Sequence, residues 1–130
     1  MYTVRANIVK NRLYVTLSGF MHQQEMKECT DRTIEESQKL QPGYDVITDI
    51  SDFKVVGQET LAEVKRGQAY FKQTGVRHAI RVEGKSSISG LVSSQFTRTG
   101  RSVAYVPETV ATMADAERIL DELSRQAVTK

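Results

Sequence analysis

The chain has no tryptophan, one cysteine, two prolines and 7% aromatic residues over 130 positions. Each shortage excludes something. A lone thiol, Cys29, makes no internal disulfide and no cysteine-based metal site. With only Pro42 and Pro107 and no Pro/Gly/Ser-rich stretch, nothing divides the chain with a linker, and its length suits one domain. No apolar run exceeds four residues, which excludes a membrane-spanning helix. The sequence does not open on an apolar core flanked by basic residues, so no secretory leader is expected, and the expected compartment is the cytoplasm. No repeat or low-complexity block is present. Neither sign of charge dominates, the net being +2.

What is there is a globular composition, 39% hydrophobic and 26% charged. The small net charge hides a gradient: residues 1–64 hold 7 basic and 10 acidic residues, 65–101 hold 8 basic against Glu83 alone, and 102–130 hold 3 basic and 5 acidic. Residues 2–8 alternate, with Tyr2, Val4, Ala6 and Ile8 on one face. Residues 13–18 alternate again on Leu13, Val15 and Leu17, so with the Lys10-Asn11-Arg12 turn they predict a β-hairpin with one buried face. Helical spacing follows over 22–40 (Met26, Cys29, Thr33), 58–74 (Leu61, Val64, Phe71, with Gly75 as stop), 86–98 (Ile88, Leu91, Val92, Phe96, capped by Ser86 or Ser87 and ended by Gly100) and 114–125 (Ala116, Ile119, Leu120, Leu123). Strands are expected at 45–50, 77–82 and 102–106.

That order predicts an α/β fold: an N-terminal hairpin, then strand–helix repeats with parallel pairing, in a five-stranded mixed sheet. The strands alternate in character instead of being apolar throughout, so the helices are expected mainly on one face and the other face is expected to be partly polar, solvated or used for contact. Residues 1–125 form the expected single domain and 126–130 a frayed tail.

Three stretches carry a resemblance. Val46-Ile47-Thr48-Asp49-Ile50-Ser51 is similar to an apolar strand ending in Asp-Leu-Ser; Phe53-Lys54-Val55-Val56-Gly57-Gln58-Glu59-Thr60-Leu61 falls where a switch loop runs into a helix; residues 110–120 look like a short run before an alanine-containing last helix. With the element order, they resemble the STAS family, the SpoIIAA-like anti-sigma-factor antagonists, over nearly the whole chain. The resemblance implies a non-catalytic regulatory module that docks on another protein through the switch loop. Phospho-switched members carry Asp-Ser-Ser-Gly at the loop–helix junction. Aligned on Leu61 this chain has Gly57-Gln58-Glu59-Thr60, with Thr60 where the family glycine stands, so no phospho-acceptor carries over. Glu59 reads as an ordinary first-turn acid favoured by the helix dipole.

The residues offer little chemistry of their own. Asp49, Ser51 and Asp52 cluster at the end of a parallel strand, where open α/β sheets place ligands; a turn in which Asp49 accepts backbone N–H groups is the better account. His22 and His78 stand at no ligand spacing, and Cys29 lies on an apolar stripe, so no metal, cofactor or thiol nucleophile is expected. Gly84-Lys85-Ser86-Ser87 follows a strand and opens a helix, a setting for a weak anion site. A phosphate loop would need glycine where Ala79 stands. The basic segment is spread over several elements, which reads first as a solvated flank, next as a docking surface for a partner and third as a nucleic-acid site. Docking on another protein therefore leads; carriage of a lipid or small ligand in a pocket of Phe53, Tyr70, Phe71 and Phe96 is the alternative; an enzyme using Asp49, Ser51 and Asp52 comes last. Homodimerisation through an uncovered sheet face or edge is compatible with all three.

Overall fold

A computed structural model describes residues 1–54 and 56–128; Val55, in the expected switch loop, and residues 129–130 of the expected tail lie outside the described residues. Alternation produces the hairpin of β1 (Tyr2–Asn7) and β2 (Arg12–Gly19), closed by a turn in which Asn11 takes φ 54°. Tyr2, Val4 and Ala6 pair with Leu17, Val15 and Leu13, which puts all six on one face. Helix α1 (Gln23–Ser37), strand β3 (Asp45–Phe53), helix α2 (Gln58–Thr74), strand β4 (Ala79–Val82), helix α3 (Ser87–Ser102), strand β5 (Glu108–Val110) and helix α4 (Met113–Val128) follow.

The sheet runs β1-β2-β3-β4-β5, antiparallel at β1·β2 and parallel elsewhere. From β2 onward each crossover advances one strand in the same direction. Right-handed crossovers that never reverse must leave all their helices on one side, and α1, α2 and α3 share a core with Leu13, Val15, Leu17, Val46, Ile50 and Phe53. The expected α/β class, mixed sheet and majority face are thus present.

Several details differ from the sequence reading. Strand β3 runs to Phe53, past the expected 50, so Asp49, Ser51 and Asp52 lie within it and not in a turn after it. The other sheet face is not left open: α4 crosses to it, and Tyr14, Ile47, Ile80 and Val82 pack there against Ala116 and Leu120. The expected 102–106 strand is instead the end of α3 and a turn, and β5 starts after Pro107. Ser102-Val103-Ala104-Tyr105-Val106 has strand-forming residue types, but Ala104 takes φ 58° and the Tyr105 N–H returns to the Gly100 carbonyl at 2.9 Å, closing the helix. Gly100 is therefore inside the helix, not past its end. Last, α4 runs to Val128, beyond the expected 125.

Candidate functional site

Parallel pairing brings the C-terminal ends of β2, β3 and β4 to one edge of the molecule: Gly19 stands beside Phe53, and Asp49 beside Val82. Most of the residues singled out from sequence lie at this edge. Asp49 Oδ1 accepts from the Ser51 backbone N–H at 3.0 Å and from its Oγ at 2.7 Å. Both bonds are local contacts within β3, at the point where its register against β2 shifts, and both fall on Oδ1. Asp52 is exposed and stands opposite Ser18 in the ladder.

Next to it the chain enters α2. Gly57 is the N-cap, without a side-chain cap bond, and Gly57, Gln58 and Glu59 are exposed. Thr60 turns inward; it is 6% exposed and its Oγ1 reaches the Met21 carbonyl at 3.4 Å. The loop ahead of the helix is clamped to α3, because the Val56 N–H donates to Gln95 Oε1 at 3.3 Å and Gln95 Nε2 donates to the Val56 carbonyl at 3.0 Å. An open groove lies between this loop and the start of α1, with Phe20, His22, Gly57 and Glu59 on its walls.

The third approach to this edge is the β4–α3 connection. Gly84 takes φ +71°, and a Cβ there would meet Ser51 Cβ at 3.0 Å, so this loop lies against β3 and glycine lets it. Ser86 is the cap expected from sequence: its Oγ accepts the Ser89 N–H at 3.0 Å, and Ser89 Oγ donates back to the Ser86 carbonyl at 2.9 Å. Lys85 and Ser87 are exposed. The Ser86 hydroxyl is therefore engaged in capping the helix.

Around this edge stand apolar side chains that gain nothing by facing water. Phe20 is 76%, Leu91 60% and Ile88 47% exposed. They come from the β2–α1 connection and the first turns of α3. The sequence reading missed Phe20, and assigned Ile88 and Leu91 to a buried stripe. The α3 stripe buries Ser89, Val92, Ser93 and Phe96 instead, because the small serines allow the helix to approach the sheet.

The remaining chemical candidates are structural. Burial pushes the Cys29 thiol up to about 12, so it is no nucleophile at neutral pH. His78 holds Asp45 through its backbone N–H and Nδ1, both at 3.1 Å. No cluster of three metal-capable side chains is found among the described residues. The basic segment does not act as a block: Arg66 is paired with Asp31 at 2.8 Å and Glu63 at 3.1 Å, and Arg81 is buried. No described helix is long and apolar enough to cross a membrane.

The other feature that sequence reasoning missed is a half-open pocket. A cavity of about 60 Å³ lies between the sheet and α1–α3, lined by Cys29, Val64, Gln68, Phe71, Phe96 and Tyr105 among others, with Arg81 in its wall. Of the four aromatics expected around a pocket, Phe71 and Phe96 line it; Phe53 and Tyr70 do not. Strand alternation carried the signal for Arg81. With Ile80 and Val82 facing α4, residue 81 must face α3.

No family model and no curated protein matches the sequence. Among solved structures, the NMR structure of the protein TM1081 is similar over 93% of this chain and 89% of that one, with a TM-score of 0.62 at 12% identity. At that identity the similarity shows a shared fold.

Proposed function

We propose that this chain is a non-catalytic docking module that binds a partner protein at the C-terminal edge of its sheet. One observation carries the reading: Phe20, Ile88 and Leu91 are exposed around that edge, beside the uncapped, solvent-facing start of α2. Burying three large apolar side chains is the ordinary driving force of association. The STAS resemblance supports the same surface, since its switch loop corresponds to residues 53–61 here. Thr60 is buried and no serine replaces it, so docking is not switched by phosphorylation at this junction.

The hairpin tip also exposes apolar groups, Ile8 and Val9, at the opposite end of the sheet. It supplies the control. A photo-crosslinking residue placed at 20 or at 91 is expected to trap one and the same protein in cells, and one placed at 9 is not. Phe20→Asp and Leu91→Asp are expected to abolish that crosslink while leaving the thermal unfolding transition in place. Different products at 20 and 91, or equal trapping at 9, would overturn the reading. A second reading, carriage of a small ligand, is favoured by the half-open, mainly apolar pocket between the sheet and α1–α3.

A further inference from the structure

Thr48 stands in the middle of the central strand β3, on the face that α1, α2 and α3 cover, with Val15 of β2 and Arg81 of β4 beside it. That is the most enclosed place this sheet offers. Val15 is 6% and Arg81 2% exposed, yet Thr48 is only half-buried. The packing leaves a gap above the middle of the sheet, and Thr48 lies on its floor. The gap is the half-open pocket of about 60 Å³, walled by Val64, Phe71 and Phe96 and reaching partly exposed positions at Tyr105 and Pro107. A water needs roughly 10–15 Å³ on this scale, so the space admits a molecule of several non-hydrogen atoms. The pocket shares no residue with the docking edge.

Its wall offers a ligand no accessible charge. No aspartate or glutamate lines it among the described residues. Arg81 does, but its polar end is turned into α3: Nη1 donates to the Ser93 carbonyl at 3.1 Å and to Thr97 Oγ1 at 2.8 Å, and Nη2 is buried. Other polar groups of the wall are already engaged. Thr30 Oγ1 donates to the Glu63 carbonyl at 3.2 Å and Thr33 Oγ1 to the Cys29 carbonyl at 2.8 Å. Gln68 Nε2 donates to the Phe96 carbonyl at 3.0 Å, and Gln68 Oε1 accepts from Thr99 at 2.7 Å. The hydroxyls of Thr48 and Tyr105 differ: neither has a hydrogen-bond partner among the described residues. Of the two, Thr48 has only the pocket to face, because Tyr105 belongs to the turn between α3 and the edge strand β5. A charged molecule entering here would lose its water with nothing to replace it.

We propose that the pocket binds a small uncharged molecule of alcohol type, whose hydroxyl bonds to Thr48 Oγ1 on the floor and whose hydrocarbon lies against Val64, Phe71 and Phe96. A hydroxyl both donates and accepts, so it satisfies Thr48 whichever way that group turns. This inference rests on the ligand-carriage reading and adds the class of the ligand to it.

The test titrates 1-butanol, butanoate and n-butylammonium into the intact chain and follows side-chain NMR signals of Thr48, Val64, Phe71 and Phe96. Saturable shifts at all four are expected with 1-butanol, and binding weaker by about tenfold or more with either ion. Thr48→Val is expected to weaken 1-butanol by about fivefold, the worth of one neutral hydrogen bond, while Thr48→Ser retains the affinity and Tyr105→Phe leaves it unchanged. Should Thr48→Val fail to fold, the native chain decides, since the Thr48 methyl signal must move with the other three. Affinity unchanged by Thr48→Val, or lost in Tyr105→Phe, would overturn the place of the hydroxyl. An ion bound as tightly as 1-butanol would overturn the uncharged class. Both results leave carriage standing, whereas no saturable binding of any probe would overturn the inference and the carriage reading together.

Discussion

At the scale of single residues, the most informative side chain is Arg12. By sequence it belongs to a turn of charged residues. In the fold it is 1% exposed under α4, where Nη1 reaches Glu117 Oε1 at 2.7 Å and Asp121 Oδ1 at 3.1 Å, and the Tyr14 hydroxyl donates to the same Glu117 oxygen at 2.7 Å. Burial works to raise the Glu117 carboxyl, but the bonds from Tyr14 and Arg12 outweigh it and hold the group below its ordinary value. An unfolded glutamate titrates near about 4.3. With the folded value lower, the stabilisation is whole above that point and is lost as pH falls through the folded value. Urea unfolding followed from pH 7 down to pH 3 should therefore show a loss of stability on the acid side, and Glu117→Gln should flatten that limb. At pH 7 the same variant should cost about 1–2 kcal/mol, the scale of a hydrogen bond to a charged group discounted for partial exposure. An unchanged acid limb in the variant would show that other carboxylates govern it. No local pattern could have placed this network, because its members stand more than a hundred positions apart in the chain. The bond from the Ser51 N–H to Asp49 was legible from sequence for the opposite reason, its partners being two residues apart, although the expected turn there is strand.

At the scale of elements, what was legible were the periodic segments. The hairpin and α2 came out almost as read, since alternation and helical spacing each rest on many residues at once. The error at 102–106 came from weighing residue types against a chain reversal that depends on a single contact. A Cβ on Gly100 would meet the Tyr105 carbonyl oxygen at 2.5 Å. The turn that follows α3 can only form if position 100 has no side chain, and this contact, not a helix stop, is what the glycine is for. Gly90 is also inside α3, but it is exposed and a Cβ there meets nothing within 4 Å. The same change should thus have opposite signs at the two sites. Gly90→Ala should stabilise by about 0.5–1 kcal/mol through helix propensity. Gly100→Ala should destabilise by about 1–3 kcal/mol, the usual cost of forcing extra volume into a packed site, despite the same propensity gain. Thermal denaturation of the two variants side by side checks this, and stabilisation by both would mean that the Tyr105 turn yields easily. The exposure of Ile88 and Leu91 was not legible at this scale, because a helix with two apolar margins does not say which one meets the sheet.

At the scale of the whole molecule, the sheet separates two unequal cores. Three helices bury one face, with Val46, Ile50, Phe53, Val92 and Phe96 at its centre; α4 alone covers the other, over Tyr14, Ile47, Ile80 and Val82. Among the described residues α1, α2 and α3 each join two strands of the sheet, so displacing one pulls on strands at both of its ends, whereas α4 joins only β5. Stability in such an arrangement is not uniform. Native-state hydrogen exchange should find the α4 amides opening at a free energy below that of global unfolding, and those of α1, α2 and β3 at the global value. Leu120 is fully buried in the smaller core. Leu120→Ala should therefore speed exchange in α4 first, at a cost of about 2–5 kcal/mol to the interactions that hold it. Lowering the pH toward the titration of Glu117 should act on the same helix, since the ion pairs to Arg12 are its other anchor. Exchange of α4 at the global value, with Leu120→Ala slowing or speeding all elements alike, would show instead that both cores unfold as one unit through the sheet they share.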